Sequence, residues 1–540
     1  MKNNQILILK KIFFIFLVCI LFETSTGVYS QTGLSFRVFP DTISQFEPII
    51  TVSPLNPLVM FCSCNSFNTY RSPQNSEGIF VTTNGGLNWF GSDMCNGQNI
   101  NNHNGDPGIA IDKNGRFLLK HIGYQPYAVL AHYSTDMGSN WSTNVVLSQN
   151  QPPEDKGAMI TDNNSTSPYY GRTYITGVNY QIPYPVLFSY TTNGGTSWSS
   201  YSSIPNSAAD RNSGGELAIG RLGQVYDIWA VDSGSPPGTE KYASFGRSTD
   251  GGVSWSTTLN VFNMHGIGML YTNWNIFVNG IPKIVVDLSG GSRDGWLYVV
   301  TNEYNLSPAG SDFDIIFHRS TNGGTTWSPG IRVNQDALNN GKVQLFPAIC
   351  VDSTGTMDII YYDNRNTTSD SLQVFMSRSS DGGNTWYDQK ISDRTFKPVA
   401  AYQYHMGDFI DIVAARNKLF PVWMANYTGI FQIWTTIMDI PPFGVQKIGS
   451  TVPKNYILVQ NYPNPFNPST TIEFSIPNKD NVKIVIYDAL GKEVNTLVNQ
   501  QLEPGSYKVN FEPGNLASGI YYYSLITNEF SSTKKMVLVK

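Results

Sequence analysis

The eight-residue unit Ser-Thr-Asp-Gly-Gly-Val-Ser-Trp, Ser248 to Trp255, recurs five more times in altered form along this chain of 540 residues. The other copies begin at Thr82, Ser134, Thr191, Ser320 and Ser379. Their tryptophans, Trp89, Trp141, Trp198, Trp255, Trp327 and Trp386, stand 52, 57, 57, 72 and 59 residues apart. Such a period predicts a series of similar supersecondary units, each burying its apolar faces against its neighbours.

Between the copies lies a second repeat of apolar strand, turn, apolar strand. The clearest examples start at Glu47, Asp106 and Phe346, with looser ones at Asp155, Gly215, Pro282 and Gly407. The Asp112–Gly115 and Asp352–Gly355 turns close two of these hairpins, with glycine supplying a positive φ. A third strand follows each hairpin, then in six units of seven the tryptophan turn, then a fourth strand. No segment shows sustained helical spacing, and only 14% of residues are charged, so the chain reads as all-β. Residues 34–440 divide into seven blades of about 58 residues, an ordinary propeller blade. Six blades result if the first or last unit is irregular. The seventh unit has no tryptophan turn, and Leu34 to Pro40 is free to supply its outer strand, which would close the ring and remove exposed sheet edges.

The Ser-x-Asp-x-Gly-x-x-Trp pattern closely resembles the Asp-box (BNR) repeat of sialidases and other secreted propellers, including propellers without glycosidase activity. The resemblance covers residues 34–440. Three copies carry asparagine (Asn84, Asn193, Asn322) where the others carry aspartate (Asp136, Asp250, Asp381). That substitution suits a hydrogen-bonding turn better than an obligatory catalytic carboxylate, so these residues and their tryptophans are read as structural.

At the N-terminus, three lysines precede the apolar run IFFIFLVCILF. Small residues suit cleavage after Ser30, the signature of a secretory signal peptide over residues 1–30. The run is short for a membrane span, and the chain past it has none. Net charge is −5 overall, and about −7 once residues 1–30 are subtracted. With no basic stripe, nucleic acid and anionic lipid are excluded as main partners. Four cysteines remain after the leader. Cys95 is placed to bridge Cys62 or Cys64 in an oxidising compartment, and Cys350 reads as a buried thiol.

From Gln460 the sequence changes to QNYPNPFNPSTTIEFSIP, and later to VKIVIYDALGKEV. Residues 459–540 resemble the type A sorting domain of the type IX secretion system, specifically at Asn461–Pro468 and at Tyr487, Asp488 and Gly491. The resemblance implies a small β-sandwich that the secretion machinery of a Gram-negative bacterium reads, with residues 441–458 as linker. Alternating strands and glycine-rich turns agree with a sandwich.

Up-and-down strands put the tryptophan turns on the same face as the Asp-x-x-Gly turns. A ligand site is therefore expected on the opposite face, where the starts of first strands and ends of second strands border the central channel. Glu47, Asp106, Asp155, Glu216 and Asp408 lie near first-strand starts, and Asp232, Glu303 and Asp363 follow second strands. His405 and four arginines, Arg71, Arg211, Arg365 and Arg394, fall in loops on that side. Arg247, Arg319 and Arg378 directly precede tryptophan turns, where their stems are expected to pack on neighbouring strands. Carboxylates near one axis could serve glycoside hydrolysis or hold a structural Ca²⁺. The plainer reading has Glu47, Asp106 and Asp155 bonding to backbone N–H groups of neighbouring blades.

The stretch Tyr361-Tyr362-Asp363-Asn364-Arg365 is the most site-like. A tyrosine beside a carboxylate and an arginine can stack on a sugar or act as a phenolate nucleophile, or it can simply pack between blades. By resemblance, a sialidase needs a Phe-Arg-Ile-Pro motif, three arginines on the substrate carboxylate, a tyrosine–glutamate pair and an aspartate acid/base. The nearest string here, Phe36 to Pro40, has an extra residue before the proline, and spacing picks out no acid/base. The catalytic candidates are Tyr361, Tyr362, Asp363, Glu303 and Asp106, and the binding candidates are Arg71, Arg211, Arg365, Arg394, His405 and Asp408. No zinc, serine-hydrolase or phosphate-loop motif is present, and no cofactor is expected. The favoured expectation is a surface or secreted propeller that binds an extracellular glycan or protein, with a sialidase-type glycoside hydrolase as the alternative.

Overall fold

The computed structural model describes residues 34–539 except 69–73, 96–104, 124–127, 150–153, 156, 180, 206–209, 234–238, 272, 369, 399–405, 441–445, 448–451, 468, 503, 512 and 514–515. The expected signal peptide, residues 1–30, and the candidates Arg71 and His405 lie outside the described residues. Among the described residues every regular element is a β-strand. The chain divides into two compact units, the break falling between Phe443 and Gly444.

The first unit is a succession of antiparallel sheets, each with strands in chain order from the innermost outward. The first holds Ser44–Val52, Met60–Phe67, Asn75–Thr82 and Phe90–Ser92. The second holds Gly105–Ile111, Phe117–Gly123, Ala128–Ser134 and Val145–Gln149. In the third, a split inner strand (Glu154–Asp155 and Met159–Thr161) precedes Thr173–Asn179, Val186–Thr191 and Ser202–Ser203. The fourth runs from Arg211–Ile219 through Val225–Ser233 and Thr239–Ser248 to Ser256–Asn263. Lys283–Val286, Leu297–Glu303, Asp314–Ser320 and Ile331–Arg332 make the fifth. The sixth comprises Gln344–Val351, Met357–Asp363, Gln373–Ser379 and Tyr387–Lys390.

The seventh sheet closes the ring. Its strands Asp411–Ala415, Lys418–Ala425 and Gln432–Thr435 take Phe36–Arg37 as the outer strand, with Phe36 opposite Thr435 and Arg37 opposite Trp434. Val38 adds an N–H···O bond of 2.9 Å to Ile433. The N-terminal segment therefore completes a β-propeller, as the unit without a tryptophan turn required. Apolar residues of facing sheets form the core. Phe61, Ile79 and Val81 of the first sheet meet Ile109, Phe117 and Leu119 of the second, and the same arrangement recurs around the ring.

The repeated turns are built from one set of bonds. In all six, the hydroxyl of the first residue accepts a glycine N–H, as Gly252 to Ser248 at 2.8 Å and Gly195 to Thr191 at 3.1 Å. The third residue's Oδ1 accepts the N–H four positions on, equally from aspartate (Ser254 to Asp250, 2.9 Å) and asparagine (Thr326 to Asn322, 2.9 Å). Trp255 meets Phe188 of the preceding sheet edge-on at 4.7 Å, and Trp327 meets Phe245 at 5.5 Å. Arginines tie several of these turns to the sheet before. Arg116 donates to the carbonyl of Gly194 at 2.7 Å, Arg172 to Gly251 and Arg319 to Gly382, both at 2.5 Å. Arg416 of the seventh sheet lies against Gly85 of the first. Arg319 thus reaches further than stem packing alone, whereas Arg378 stays in its own sheet, buried with Asp352 and Asp358.

One expectation fails. Cys62, Cys64, Cys95 and Cys350 are all free and buried. Cys62 and Cys64 join the core shared with the seventh sheet, while Cys95 joins the core shared with the second. The thiols thus face different cores, and no bridge to Cys95 is formed.

The second unit holds two four-stranded sheets. One consists of Gln446–Lys447, Gly505–Phe511, Thr470–Ile476 and Ile457–Leu458, the other of Glu493–Leu502, Asp480–Tyr487, Gly519–Ile526 and Ser531–Leu538. Ile472, Phe474 and Ile476 on one, and Val482, Ile484 and Ile486 on the other, are buried, as a sandwich of two sheets requires.

Candidate functional site

On the face opposite the tryptophan turns, several sequence candidates are occupied in holding the ring together. Glu47, Asp106 and Phe346 each precede a proline, have φ of 61°, 56° and 54°, and sit where the innermost strand slips register against the second. These are β-bulges, with strained φ for non-glycine residues. At the second sheet the backbone of Asp106 is tied to the first. The Asp106 N–H donates at 3.0 Å to Oδ1 of Asn65 in the first sheet, and Asn65 Nδ2 donates to Glu47. Asn302 receives the Phe346 N–H in the same way at 3.3 Å. Carboxylates that accept an N–H from a neighbouring blade include Asp411, from Ile50 at 2.9 Å, and Asp388, from Gln335 at 2.7 Å. The side chain of Asp155 is outside the described residues.

Tyr361 and Tyr362 are fully buried. The Tyr361 hydroxyl is 2.8 Å from Ser377 Oγ and accepts from Arg365 at 3.1 Å, while Tyr362 donates to the Met424 carbonyl at 2.9 Å. Burial raises both phenols well above the usual range, the opposite of what a phenolate nucleophile needs. Asp363 is also buried, accepts Arg365 Nε at 2.7 Å, and burial pushes it up to about 6 against the pull of that arginine. Arg365 also pairs with Asp388 and Asp336, and lies over the Phe375 ring at 4.5 Å.

The other arginines are engaged elsewhere. Arg211 faces Asp232 at 3.6 Å in the fourth sheet. Arg394, half-exposed, is 3.4 Å from Asp393 and covers Tyr427 and Trp434. Glu303 is buried, accepting from Thr301 at 2.6 Å and from the His265 N–H at 3.4 Å. Asp408 offers its backbone carbonyl to Asn279. Among the described residues, no bond or ion pair joins Arg211, Arg365 and Arg394 to one another, and no cluster of three His, Cys, Asp or Glu side chains suits a metal.

A different group converges on the axis. Lys283 Nζ of the fifth sheet donates to Glu216 Oε2 of the fourth at 2.8 Å and stands 5.7 Å from the ring of Phe409, at the start of the seventh. This contact links the fifth sheet to the segment that leads into the seventh, on the side where first strands begin. Two positions beyond Phe409, Asp411 is pushed up to about 6, chiefly by burial, with the Ile50 N–H and Lys283 pulling back.

Above this group sits a hairpin that lies outside the repeat, Met269–Tyr271 paired with Ile276–Val278. Its two legs are held by one carboxylate. Glu240 accepts the Gly268 N–H at 2.8 Å and the Gly280 N–H at 2.7 Å. Ile267, Ile276 and Val278 join the cluster containing Met406 and Ile410 at the far side of the ring, and Asn279 reaches the Asp408 carbonyl at 3.4 Å. Its tip carries Tyr271 and Trp274, edge to face at 5.0 Å, with Asn273 donating to the Tyr271 hydroxyl at 2.9 Å. Phe277 is 39% exposed. The sequence signal for this hairpin was the 72-residue gap between Trp255 and Trp327, the longest of the series, and the glycines at 266, 268 and 280 that flank its legs.

Residues 460–540 match the family of secretion system C-terminal sorting domains. No curated protein matches the chain. Among solved structures, it is similar to an ulvan lyase of polysaccharide lyase family PL25, with 12% identity over 74% of this chain and 94% of that one, at a TM-score of 0.45. It is also similar to the α-L-arabinanase of Penicillium chrysogenum (10% identity, 75% and 98% covered, TM-score 0.41). A third is PorZ, a surface component of the type-IX secretion system of Porphyromonas gingivalis (10%, 91% and 70%, TM-score 0.29). The sheet order and ring closure, rather than these likenesses, carry the fold. The class of protein is thus a β-propeller followed by a C-terminal sorting domain. Its sorting domain directs it, by type IX secretion, to the cell surface or beyond.

Proposed function

We propose that this is a seven-bladed Asp-box propeller, exported after removal of a signal peptide at Ser30, whose channel mouth binds an extracellular glycan or protein. Residues 34–440 form the binding domain, 441–458 the linker and 459–540 the sorting domain, with no cofactor required. The observation that carries the reading is the aromatic hairpin above the charged group Glu216, Lys283 and Asp411. Concave sites with aromatic walls and a few placed polar groups are the usual form of ligand sites. Tyr361, Tyr362, Asp363 and Glu303 belong in this reading to the scaffold, and Trp274, Phe277 and Lys283 to the ligand surface.

The test is binding of the mature chain to an array of glycans and surface proteins, followed by titration of whatever binds. Lys283→Ala and Trp274→Ala should each weaken that binding by roughly tenfold, the loss of one charge-assisted or aromatic contact, measured well below each variant's own melting temperature. Undiminished binding in both variants, or no binding by the wild-type chain, defeats the reading.

A further inference from the structure

The sorting-domain motif can be accounted for residue by residue, and most of it works inside the domain. The Asn461 N–H donates to the Tyr523 hydroxyl at 2.7 Å, and its side chain donates to Thr470 Oγ1 at 2.9 Å and to the Pro463 carbonyl at 3.1 Å. Asn464 Oδ1 accepts the Val537 N–H at 2.9 Å. Phe466 is buried, 5.9 Å from the Phe511 ring. Asp488 accepts the N–H groups of Leu490 and Lys492 to form a turn in which Gly491 has φ of 80°. Asn461 and Phe466 are buried, and Asn464 and Asp488, though accessible, spend their side-chain oxygens on bonds inside the domain.

Tyr462 is the exposed aromatic of the Asn461–Pro468 stretch. Its backbone pairs with Thr471, yet the residue is 82% exposed. On either side of it, Gln460 and Asn464 both donate to the carbonyl of Lys535, at 2.8 and 3.3 Å. Lys535 is exposed, and across the same strand it pairs directly with Tyr522, while Val537 pairs with Ile520. Tyr522 and Ile520 are 37% and 45% exposed. Neighbouring strands lie about 5 Å apart, so Tyr462, Lys535, Tyr522 and Ile520 form one patch within about two strand spacings.

We propose that this patch, Tyr462, Tyr522 and Ile520 around Lys535, is the surface by which the secretion machinery recognises the sorting domain. The inference rests on the assignment of residues 460–540 to export, not on the ligand-binding reading of the propeller. A signal must be read from outside, and this patch combines an exposed motif residue with aromatic and basic neighbours. Tyrosine is among the side chains that dominate recognition surfaces, and Lys535 adds a charge that orients a partner. The receptor's complement is an apolar pocket bordered by a carboxylate.

The experiment expresses the full chain in a bacterium with a working type IX system and compares exported with retained protein by immunoblot. Tyr462→Ala/Tyr522→Ala and Lys535→Glu should each lower the exported fraction by roughly tenfold, the effect of losing one strong contact. Leu490→Ala removes the most exposed apolar side chain of the domain, 94% accessible and outside the patch, and should export normally. Melting curves of the purified full-length variants should match wild type. Normal export of both patch variants overturns the proposal, as does an equal loss in Leu490→Ala, which would mark a general need for surface apolarity. Failure of the wild-type chain to leave the cell would instead overturn the export assignment itself.

Discussion

At the residue scale, the repeated turn shows what its third position requires. Asp250 takes N–H bonds from Val253 and Ser254 and a hydroxyl bond from Ser248. Asn322 takes the corresponding bonds from Thr326 and Ser320. A carbonyl-type oxygen satisfies the turn, and a negative charge adds little. Asp250→Asn should therefore change stability by less than about 0.5 kcal/mol, whereas Asp250→Ala leaves turn donors unpaired and should cost about 1–2 kcal/mol. Urea unfolding of the two variants separates these outcomes, and equal losses in both would show that the charge matters. The equivalence was legible in the sequence because the turn satisfies itself within eight residues.

At the element scale, the ring depends on its closing strand. Phe36, Arg37 and Val38 pair with the outer side of the seventh sheet, and Arg37 Nη1 bonds Gln432 Oε1 at 2.8 Å. Removing residues up to Pro40 would bare the edge of Gln432–Thr435. The truncated chain is expected to melt several degrees lower and to self-associate through the open edge, which calorimetry and size-exclusion chromatography would detect. An unchanged, monomeric truncation would mean that closure rests on the inner strands and the arginine ties alone. Strand order around the ring was readable from the apolar hairpins and the missing seventh turn. The hairpin at Met269–Val278 showed only as extra length between Trp255 and Trp327, because six residues in two short strands give no periodicity. Its form depends on Glu240 and on the far rim of the ring.

At the scale of the whole molecule, buried carboxylates set the pH dependence. Burial pushes Glu77 up to about 8, Asp358 to about 7, and Asp363 and Asp411 to about 6, each against some pull from a nearby cation or bond donor. In this range the native state holds more protons than the unfolded chain, so stability falls as pH rises from about 4 towards 8. The turn aspartates act in the opposite sense. At Asp250, bonds from Ser254, Ser248 and Val253 outweigh burial and bring it down to about 2, but solvent screening keeps its share of the pH dependence small and confines it to strong acid. The melting temperature should be higher at pH 5.5 than at pH 8.5, with a maximum on the acid side of neutrality. A flat or rising profile between those values would show that these groups ionise freely in the native state.

The repeat, the all-β class, the ring with its borrowed strand and the sorting domain were all written in local patterns. Turn chemistry, two-residue alternation and short motifs act between residues close in sequence, so a linear reading recovers them. The group at the axis was decided by the tertiary structure alone. Glu216, Lys283 and Asp411 come from three different sheets, and no spacing along the chain relates them. The stretch from Tyr361 to Arg365 shows the converse. Its composition resembled a site, but closing the ring buried both tyrosines between sheets and left Arg365 paired with carboxylates. Residue types propose a chemistry, and burial and partners, which only the folded ring supplies, determine whether a side chain faces a ligand or a neighbouring blade.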